Sequence, residues 1–373
     1  MNFFLVWYKL SDRIPSFFRR IMFLLFSSIL PKTKIEEKDA LNYLCSLKPD
    51  FGESSLKDNV LIEPPEYDLL VVVPIYNVEK YLEECLDSVF NQKTKYKFYV
   101  VAVNDGSTDN SEKILQRYRA FSNIKIIHQQ NKGLSGARNA GMNEINAKYI
   151  MFVDSDDVLY DGCIDALLDS ALQTNADVIQ GSYSYYYNGR VIREERPVDV
   201  GFCNPQKCFG FAWGKLYKSS LFKRFHFPEK YLFEDTICRL ILFNIAKTAY
   251  AVETKVVMYR RNMNGITATS KKNYKTIDTI WCTKKLIEDY KRLGLPITES
   301  VCNSFLKQFA FNYSRLLFFN DKKVNYAAFL LYRKIFENIN IDMSHSEYGK
   351  KIAYESLKDG NYKKFFLSAI FLR

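Results

Sequence analysis

The sequence predicts an α/β fold with a mostly parallel sheet flanked by helices. Between residues 67 and 180, short apolar runs rich in Val and Ile alternate with segments whose apolar residues recur at helical spacing. Strands separated by helices pair in parallel, because each helix returns the chain to the edge of the sheet at which the previous strand began. The first four apolar runs also end in polar clusters, as expected where the carboxyl ends of strands line a ligand site.

The apolar runs define the predicted strands. Each is an unbroken stretch of aliphatic and aromatic residues, which is typical of a strand buried on both faces. The predicted strands are Asp68–Ile75, Phe98–Val103, Ile124–Ile127, Tyr149–Val153 and Asp177–Gln180. The helices predicted between them are one capped by Asn77 with its apolar face on residues 81–89, then Ser111–Tyr118, Ser135–Ile145 and Asp161–Leu172.

The second half of the chain predicts a hairpin followed by helices. Within Tyr183–Ile192, Asn188-Gly189 lies between β-prone residues, and Asn-Gly is a strong signal for a two-residue hairpin turn. Asp235–Ala246 has apolar residues at helical spacing. From Ser270 onward the sequence is aromatic and basic and predicts a helical region.

The first thirty residues contain two apolar runs separated by three arginines. Neither run reaches the ~18–20 residues that a membrane-spanning helix needs, and charges between the runs do not suit a signal peptide. Met1–Leu30 therefore predicts either a helix lying in a membrane interface or a helix docked on its own protein, and the sequence leaves both open. Lys32–Glu66 predicts a short helix and a charged linker.

Composition and charge limit the classes of function. The chain is 47% hydrophobic and 25% charged, which excludes a disordered chain. Of its net charge of +11, the excess lies in Lys255–Arg373, which has 22 Lys and Arg against 10 Asp and Glu. A basic region suggests contact with phospholipid or nucleic acid, and the lack of a nucleic-acid-binding motif favours phospholipid. The eight scattered cysteines contain no Cys-x-x-Cys pair, which favours free thiols in a reducing cytosol.

Polar side chains follow each of the first four predicted strands. In a parallel sheet these turns share one edge, so we expect residues distant in sequence to converge there. Asp105 could accept a hydrogen bond from a nucleotide base, Arg138 could hold a phosphate, and Tyr76 could stack on a ring. Asp154 and Asp156 supply carboxylate oxygens, which suit Mg²⁺ or Mn²⁺. Each residue alone fits ordinary turn chemistry; the combination indicates a ligand site.

Other nucleotide-binding motifs are absent from the sequence. There is no Gly-x-Gly-x-x-Gly after the first strand and no Gly-x-x-x-x-Gly-Lys-Ser/Thr, which excludes a dinucleotide fingerprint and a P-loop. The motifs that are present resemble, in order and spacing, those of family 2 glycosyltransferases with a GT-A fold. They are Val73-Pro74-Ile75-Tyr76-Asn77, Val103-Asn104-Asp105-Gly106-Ser107-Thr108-Asp109, residues 131–139 and Phe152-Val153-Asp154-Ser155-Asp156-Asp157.

The resemblance implies a role for each motif residue. It implies that Asp156 binds Mn²⁺ or Mg²⁺ and that Asp235, in Phe233-Glu234-Asp235-Thr236, is the catalytic base. An acid at a helix start is also a common structural feature, because it interacts favourably with the helix dipole. By the same resemblance, the residues that bind the nucleotide-sugar donor are Pro74, Tyr76, Asp105, Asn131, Arg138 and Asp154.

Two further segments resemble the family less closely. Residues 213–217, Trp-Gly-Lys-Leu-Tyr, resemble the acceptor-side segment, although Trp213 could equally be a core residue. Tyr259–Thr267 resembles the closing loop, in which Arg260 or Arg261 would contact phosphate. The predicted domains are an N-terminal helix and linker over residues 1–66, a GT-A catalytic domain over 67–268 and a basic helical region over 269–373.

The expected function is inverting transfer of a hexose or N-acetylhexosamine from a nucleotide donor, expected to be UDP-linked, to a saccharide acceptor. The basic tail and the apolar N-terminus suggest a lipid-linked acceptor in cell-surface polysaccharide or glycolipid synthesis. They also suggest peripheral contact with the cytoplasmic face of the membrane. Two alternatives stay open: a phosphohydrolase of the haloacid dehalogenase type with Asp154 as nucleophile, and a non-catalytic sugar- or nucleotide-binding module on the membrane.

Overall fold

The computed structural model describes residues 14–29, 35–58, 65–263, 265–270 and 273–371. The chain forms two compact units. The sheet unit contains Glu53–Lys230 and Ile237–Asn264, and the helical unit contains Met1–Gly52, Tyr231–Thr236 and Gly265–Arg373. The helical unit therefore includes a short internal segment, Tyr231–Thr236, which carries Asp235. The three-domain division drawn from the sequence remains a prediction.

The sheet unit is built on a ten-stranded sheet within the described residues, ordered β3-β2-β1-β4-β9-β6-β10-β5, with β7 beside β6 and β8 beside β10. Neighbours β1–β2, β2–β3, β1–β4 and β6–β10 are parallel, and the other pairs are antiparallel. The strands are β1 (Tyr67–Ile75), β2 (Phe98–Asn104), β3 (Ile124–His128), β4 (Ala147–Phe152), β5 (Val158–Leu159), β6 (Val178–Tyr187), β7 (Arg190–Glu195), β8 (Gly201–Cys203), β9 (Lys215–Lys218) and β10 (Ala249–Arg260).

Helices follow the parallel strands and make up most of the helical unit. They are α1 (Ser16–Ile29), α2 (Glu37–Leu47), α3 (Leu82–Phe90), α4 (Ser111–Tyr118), α5 (Gly133–Met142), α6 (Cys163–Thr174), α7 (Phe243–Ile245), α8 (Ile266–Thr269), α9 (Asp278–Arg292), α10 (Glu299–Phe319), α11 (Lys322–Phe336), α12 (Tyr348–Lys358) and α13 (Tyr362–Phe371). A π-helical turn, Cys238–Leu242, leads directly into α7.

Strand β1 is the centre of the parallel part of the sheet. Its residues from Leu69 to Ile75 are all buried, because helices cover both faces of a parallel sheet. Close approach of α5 to this strand depends on a glycine: a Cβ on Gly141 would lie 2.4 Å from a methyl carbon of Val72. Any larger residue at this position would push α5 away from the sheet.

The predicted fold class is confirmed: a central sheet is flanked by helices, and a helical region follows it. The sheet is mixed, with a parallel part formed by β3, β2, β1 and β4 and antiparallel pairs in most of the remainder. The hairpin is also confirmed, since β6 and β7 pair around Asn188-Gly189. The predicted cap at Asn77 is wrong, because α3 begins only at Leu82. Asn77 instead has φ +48°, and its Oδ1 accepts a hydrogen bond from the backbone N–H of Thr108 at 2.7 Å. The structure uses this side chain to join two loops.

In the helical unit, α1 packs on the C-terminal helices. Phe23 is buried in a cluster with Leu317, Leu367 and Ile370, and the ring of Phe26 stacks on that of Phe371 with centroids 5.6 Å apart. The helix is thus docked on its own chain by one face. Among the described residues, no helix combines the length and the apolar character needed to cross a bilayer.

Candidate functional site

The carboxyl ends of the parallel strands lie side by side. Ile75 at the end of β1 is in register with Asn104 at the end of β2, and Asn104 is in register with His128 at the end of β3. On the other side of β1, the backbone N–H of Val153 donates to the carbonyl of Val72 at 3.0 Å. The four polar turns predicted from the sequence therefore leave the sheet at one edge.

The turns after β1 and β2 are bonded to each other. Besides the Asn77–Thr108 bond, the backbone N–H of Asn77 donates to Ser107 Oγ at 3.1 Å. The backbone N–H of Val78 donates to Ser111 Oγ at 3.1 Å. Pro74 lies buried within β1, whereas the Tyr76 side chain is 51% exposed. Of these two predicted donor-binding residues, Tyr76 presents its side chain to solvent and Pro74 shapes the strand end.

Asp105 connects the second turn to the third. Its side chain is 2% exposed, and its Oδ1 accepts from Gln129 Nε2 at 2.6 Å and from the backbone N–H of Lys132 at 2.8 Å. Asn131 lies between these two donors in sequence and is exposed. Asp105 and Asn131, which were each predicted to bind the donor, are thus brought close together at the sheet edge.

Glycine is required beside Asp105. Gly106 has φ +76°, and a Cβ there would lie 3.0 Å from the backbone nitrogen of Asn131. A side chain would be strained by this backbone conformation and crowded by the neighbouring turn. The Asp-Gly pair therefore lets the second and third turns approach closely.

Arg138 and Asp154 form a partly buried ion pair. Arg138 Nη2 is 2.6 Å from Asp154 Oδ1, and the two side chains are 2% and 23% exposed. The guanidinium also lies 5.2 Å from the ring centroid of Phe227 and 6.0 Å from that of Phe152. Because Arg138 is enclosed in this way, it orients the Asp154 carboxylate at the sheet edge.

Asp156 lies beside Asp154 and contacts the end of β10. Its Oδ2 accepts from Asn262 Nδ2 at 2.9 Å, and its carbonyl accepts from Arg260 Nε at 2.8 Å. Burial is the largest cause that raises the pKa of Asp156, and the nearby negative charge of Asp154 raises it further. A cation at this position would stabilise the ionised carboxylate.

Asp157 is fully enclosed behind Asp156. Its Oδ1 accepts from the backbone N–H of Arg260 at 2.7 Å. Its Oδ2 is buried and has no hydrogen-bond partner among the residues that the structure describes. Burial raises the pKa of this carboxyl well above its usual range, and the charges of Asp156 and Asp154 add to the effect. Ionised carboxylates are therefore disfavoured here unless a positive charge compensates them.

The residues at this edge fit a divalent cation held together with a phosphate. No group of three or more His, Cys, Asp or Glu side chains in the described ranges is arranged to hold a metal by itself. Mg²⁺, however, is usually bound by one or two carboxylates plus substrate phosphates. Asp156, with Asp154 two residues away, offers that smaller donor set.

Arg260, which with Arg261 is one of two candidates for contact with phosphate, makes contacts within the sheet unit, and its contact with phosphate remains a prediction. Its guanidinium bonds to Glu84 and lies 4.7 Å and 4.8 Å from the ring centroids of Tyr81 and Tyr186. Arg261 is exposed. Sequence reasoning did not find the contacts of Asn262 and Arg260 with the acidic turn, because they join residues more than a hundred positions apart.

Trp213 lies in the core of the sheet unit, in agreement with the core alternative. Its ring stacks between Phe211, with centroids 4.6 Å apart, and Tyr259, with centroids 5.0 Å apart. Lys215 is also buried, and its Nζ donates to the carbonyls of Phe211 at 3.0 Å and Trp213 at 3.2 Å. Contact of this segment with an acceptor remains a prediction.

Asp235 belongs to the helical unit and is partly exposed. The neighbouring Glu234 is buried, so Asp235 is the more accessible member of the acid pair. The role of Asp235 as a base beside the sheet-edge residues stays a prediction.

Comparison with known proteins identifies the class of this domain. Residues 70–247 match the family model described as "Glycosyl transferase family 2". Over 214 residues, 52% of this chain, the sequence is 32% identical to glycosyltransferase GlyA of Streptococcus pneumoniae. Over 162 residues, 41% of this chain, it is 33% identical to the poly(ribitol-phosphate) beta-glucosyltransferase of Bacillus spizizenii. The matches span only 30% and 25% of these two relatives.

A solved structure shows the same fold. The crystal structure of S. aureus TarS residues 1–349 in complex with UDP-GlcNAc superposes with a TM-score of 0.64 at 19% identity, covering 80% of this chain and 89% of that one. The chain therefore carries a glycosyl transferase family 2 domain with a GT-A fold. The predicted family is confirmed.

The bonds of Asp105 predict a difference between two substitutions. Asp105→Ala should lower the free energy of unfolding by roughly 1–3 kcal/mol, since it removes the buried charged acceptor of the hydrogen bonds donated by Gln129 and Lys132. Asp105→Asn keeps an oxygen at this position and should have a smaller effect. Urea unfolding followed by circular dichroism measures both; equal effects of the two variants would contradict the assigned bonds.

Proposed function

We propose that this chain is an inverting glycosyltransferase that moves a hexose or N-acetylhexosamine from a nucleotide donor to a saccharide acceptor. The observation that carries the proposal is the convergence of Asp105 with Asp154 and Asp156 at one edge of a family 2 glycosyltransferase sheet. These turns offer an acceptor for a base and carboxylates for a metal-bound diphosphate. The UDP-GlcNAc bound by TarS supports a uridine nucleotide as the donor.

The residues proposed to bind the nucleotide-sugar donor would have different roles, according to how exposed their side chains are. Tyr76, which is exposed, would stack on the base, and Asp105 would accept from its ring N–H. Asn131, held next to Asp105, would contact the nucleotide from the third turn. Pro74 would set the course of the chain below them. Arg138, because it is enclosed, would act through Asp154 by fixing the carboxylate that faces the ribose or the metal.

Asp156 and Asp154 would hold Mn²⁺ or Mg²⁺, which would neutralise charge on the departing diphosphate. The raised pKa of Asp156 supports this assignment, because the site favours a compensating positive charge. Charge compensation is needed because the leaving nucleoside diphosphate gains negative charge as its bond to the sugar breaks.

The proposed reaction is a direct displacement. Asp235 takes the proton of an acceptor hydroxyl, and that oxygen forms a bond to the anomeric carbon of the sugar. The bond from this carbon to the diphosphate oxygen breaks at the same time, so the nucleoside diphosphate leaves with the electron pair. Attack from the face opposite the diphosphate inverts the anomeric configuration.

The phosphohydrolase alternative has less support. Its nucleophile would be Asp154, but Asp154 Oδ1 is held by Arg138 at 2.6 Å. Its motif would also stand on the first strand of the sheet, whereas here it follows β4. The non-catalytic alternative would not need an accessible acid such as Asp235, whereas a transferase needs one as its base.

We propose a lipid-linked saccharide as the acceptor and the inner face of the cell membrane as the location, within cell-surface polysaccharide or glycolipid synthesis. The polymer named for the relative from Bacillus spizizenii supports a cell-surface saccharide. Support for membrane contact comes from α1, which has two arginines and no acidic residue. Its outward face carries large exposed apolar side chains at helical spacing: Phe17, Phe18, Ile21, Leu24 and Leu25.

A panel of nucleotide sugars, assayed with and without Mn²⁺ for nucleotide release in the presence of acceptor, tests the transferase proposal. Release from at least one UDP-sugar is expected, and Asp156→Ala should abolish its metal dependence because the carboxylate is lost. Asp161→Ala, which removes an exposed acid nearby, is the control. Release of inorganic phosphate would favour the phosphohydrolase, and nucleotide binding without turnover would favour the non-catalytic module.

Asp235→Asn should lower the rate of transfer by roughly 10²–10⁴-fold, since an amide cannot take up the proton of the attacking hydroxyl. Glu37→Gln, which neutralises another helix-start acid of the helical unit, should leave the rate unchanged. Steady-state transfer kinetics measure both, and NMR of the product should show inverted anomeric configuration. Near-normal transfer by Asp235→Asn would remove the base assignment.

The Phe18→Ser and Leu24→Ser double variant should bind anionic vesicles about 10–100-fold more weakly than the unsubstituted chain, because each large apolar side chain buried contributes up to roughly 1.5–3 kcal/mol. Co-sedimentation with phosphatidylglycerol vesicles measures the bound fraction. Phe121→Ser, a change at an exposed aromatic residue of the sheet unit, is the matched control. Equal binding by the double variant and the unsubstituted chain would contradict a membrane role for α1.

A further inference from the structure

The segment that carries Asp235 is bonded to other parts of the helical unit. Tyr231–Thr236 belongs to the helical unit, although the residues on either side of it belong to the sheet unit. The hydroxyl of Tyr231 donates to Asp50 Oδ1 at 2.5 Å, and the backbone N–H of Leu232 donates to Asp278 Oδ2 at 3.0 Å. The two partner residues, Asp50 and Asp278, lie outside the matched family region of residues 70–247.

Phe233, two residues before Asp235, has an unfavourable backbone conformation. Its φ is +66°, a region that an aromatic residue enters only when its surroundings hold it there. Its carbonyl accepts from the backbone N–H of Thr236 at 3.1 Å and from Cys282 Sγ at 3.6 Å. These bonds close a tight turn around Glu234 and Asp235.

Arg315 of α10 covers the ring of Phe233. Its guanidinium carbon lies 3.9 Å from the ring centroid of Phe233 and 4.5 Å from that of Phe311. A cation over an aromatic face at this distance is attracted to it, and more strongly when both are shielded from water. The contact holds Phe233, the residue whose backbone conformation is strained.

Arg315 is itself fixed by a buried polar network. Its Nη1 donates to Thr279 Oγ1 at 2.8 Å, and Thr279 Oγ1 donates to Asn312 Oδ1 at 2.6 Å. Asn312 is fully buried and also bonds to Tyr332 Oη at 2.8 Å. Such a fully bonded network restricts the rotamers of its members, so the guanidinium has a defined position over Phe233.

We propose that Arg315 is a positioning residue for Asp235, which it orients by clamping the strained Phe233 turn onto α9 and α10. The proposal rests on the proposed role of Asp235 as the base. It assigns a function to the helical region that follows the glycosyltransferase domain: α9 and α10 supply the rigid support for the catalytic base. A base must be held in place to abstract a proton efficiently, and a displacement of about 1 Å can cost about 10²-fold in rate.

The electrostatic surroundings agree with this placement. Burial raises the pKa of the Cys282 thiol, with further increases from the negative charges of Glu234, Asp235 and Asp278, while the positive charge of Arg315 lowers it. The acid pair and Arg315 are therefore all close enough to Cys282 to change the pKa of its thiol. Because Cys282 also donates to the Phe233 carbonyl, these charged groups lie around the turn that contains Phe233.

The test compares Arg315→Met with Arg315→Lys. Arg315→Met should lower kcat for transfer about 10–100-fold and leave the affinity for UDP, measured by calorimetry with Mn²⁺, within about twofold. Arg315→Lys keeps a cation over the ring and should recover part of the loss. Lys323→Met removes a comparable cation over the Tyr43 ring, 5.3 Å away, in the same unit, and should not change kcat. Full activity of Arg315→Met would overturn the proposal.

A second substitution keeps the proposal testable if Arg315→Met does not fold. Phe233→Gly relieves the backbone strain, since glycine adopts positive φ freely, but it removes the ring that Arg315 holds. It should therefore fold and still lose kcat. Arg315→Lys in the Phe233→Gly background should then have no further effect, because the two residues act through one contact. Additive losses, or a fully active Phe233→Gly, would contradict the clamp.

Failure of this inference can be told apart from failure of the proposed function. If Asp235→Asn is inactive while the Arg315 and Phe233 variants are fully active, Asp235 is the base but Arg315 does not position it. If Asp235→Asn transfers sugar normally, the base assignment itself fails, and with it the positioning role of Arg315.

Discussion

The pairing register of β1 is the constraint on which the site depends. Because Ile75 pairs with Asn104 and Val72 pairs with Phe152, the turns after β1, β2 and β4 leave the sheet together. A register slip by one residue would turn every side chain of a strand to the opposite face. Such a slip would lose specific packing, such as that of Val72 against Gly141, so the apolar core determines where the polar turns meet.

The chemistry of the edge follows from an imbalance of charge. Asp154 is held by Arg138, and Arg260 bonds the backbone of Asp156, but three carboxyl groups lie within four consecutive residues. Burial raises the pKa of both Asp156 and Asp157, so the folded chain holds these groups at a cost that a bound cation would offset. The clustered carboxyl groups, which destabilise the free protein, would favour binding of a metal ion together with the diphosphate of the nucleotide.

Most of the parallel sheet could be predicted from the sequence because its signals are local: apolar runs, helical spacing and a polar cluster after each strand. The site residues Asp105, Asn131, Asp154 and Asp156 could be proposed for the same reason. What could not be predicted is long-range or depends on exact geometry. Nothing local indicates that the third turn is bonded by Asp105 rather than left open, or that the Asp156 carboxylate is contacted by Asn262.

The error at Asn77 has a physical cause. Asparagine is favoured both as a helix cap and in the left-handed backbone conformation, and local sequence does not separate the two uses. The contribution of the C-terminal helices was likewise hidden, because the contact between Arg315 and Phe233 joins residues 82 positions apart. Family resemblance also ends before this region, so it offered no guide to the support of Asp235.

A crystal structure of the chain with UDP and Mn²⁺ would show whether the polar turns at the sheet edge bind the donor. We expect the uracil to lie against Asp105 and Tyr76 and the diphosphate and the metal to lie beside Asp154 and Asp156. A nucleotide bound elsewhere, or one that reaches Asp105 but leaves Asp156 without a contact to metal or phosphate, would contradict this expectation.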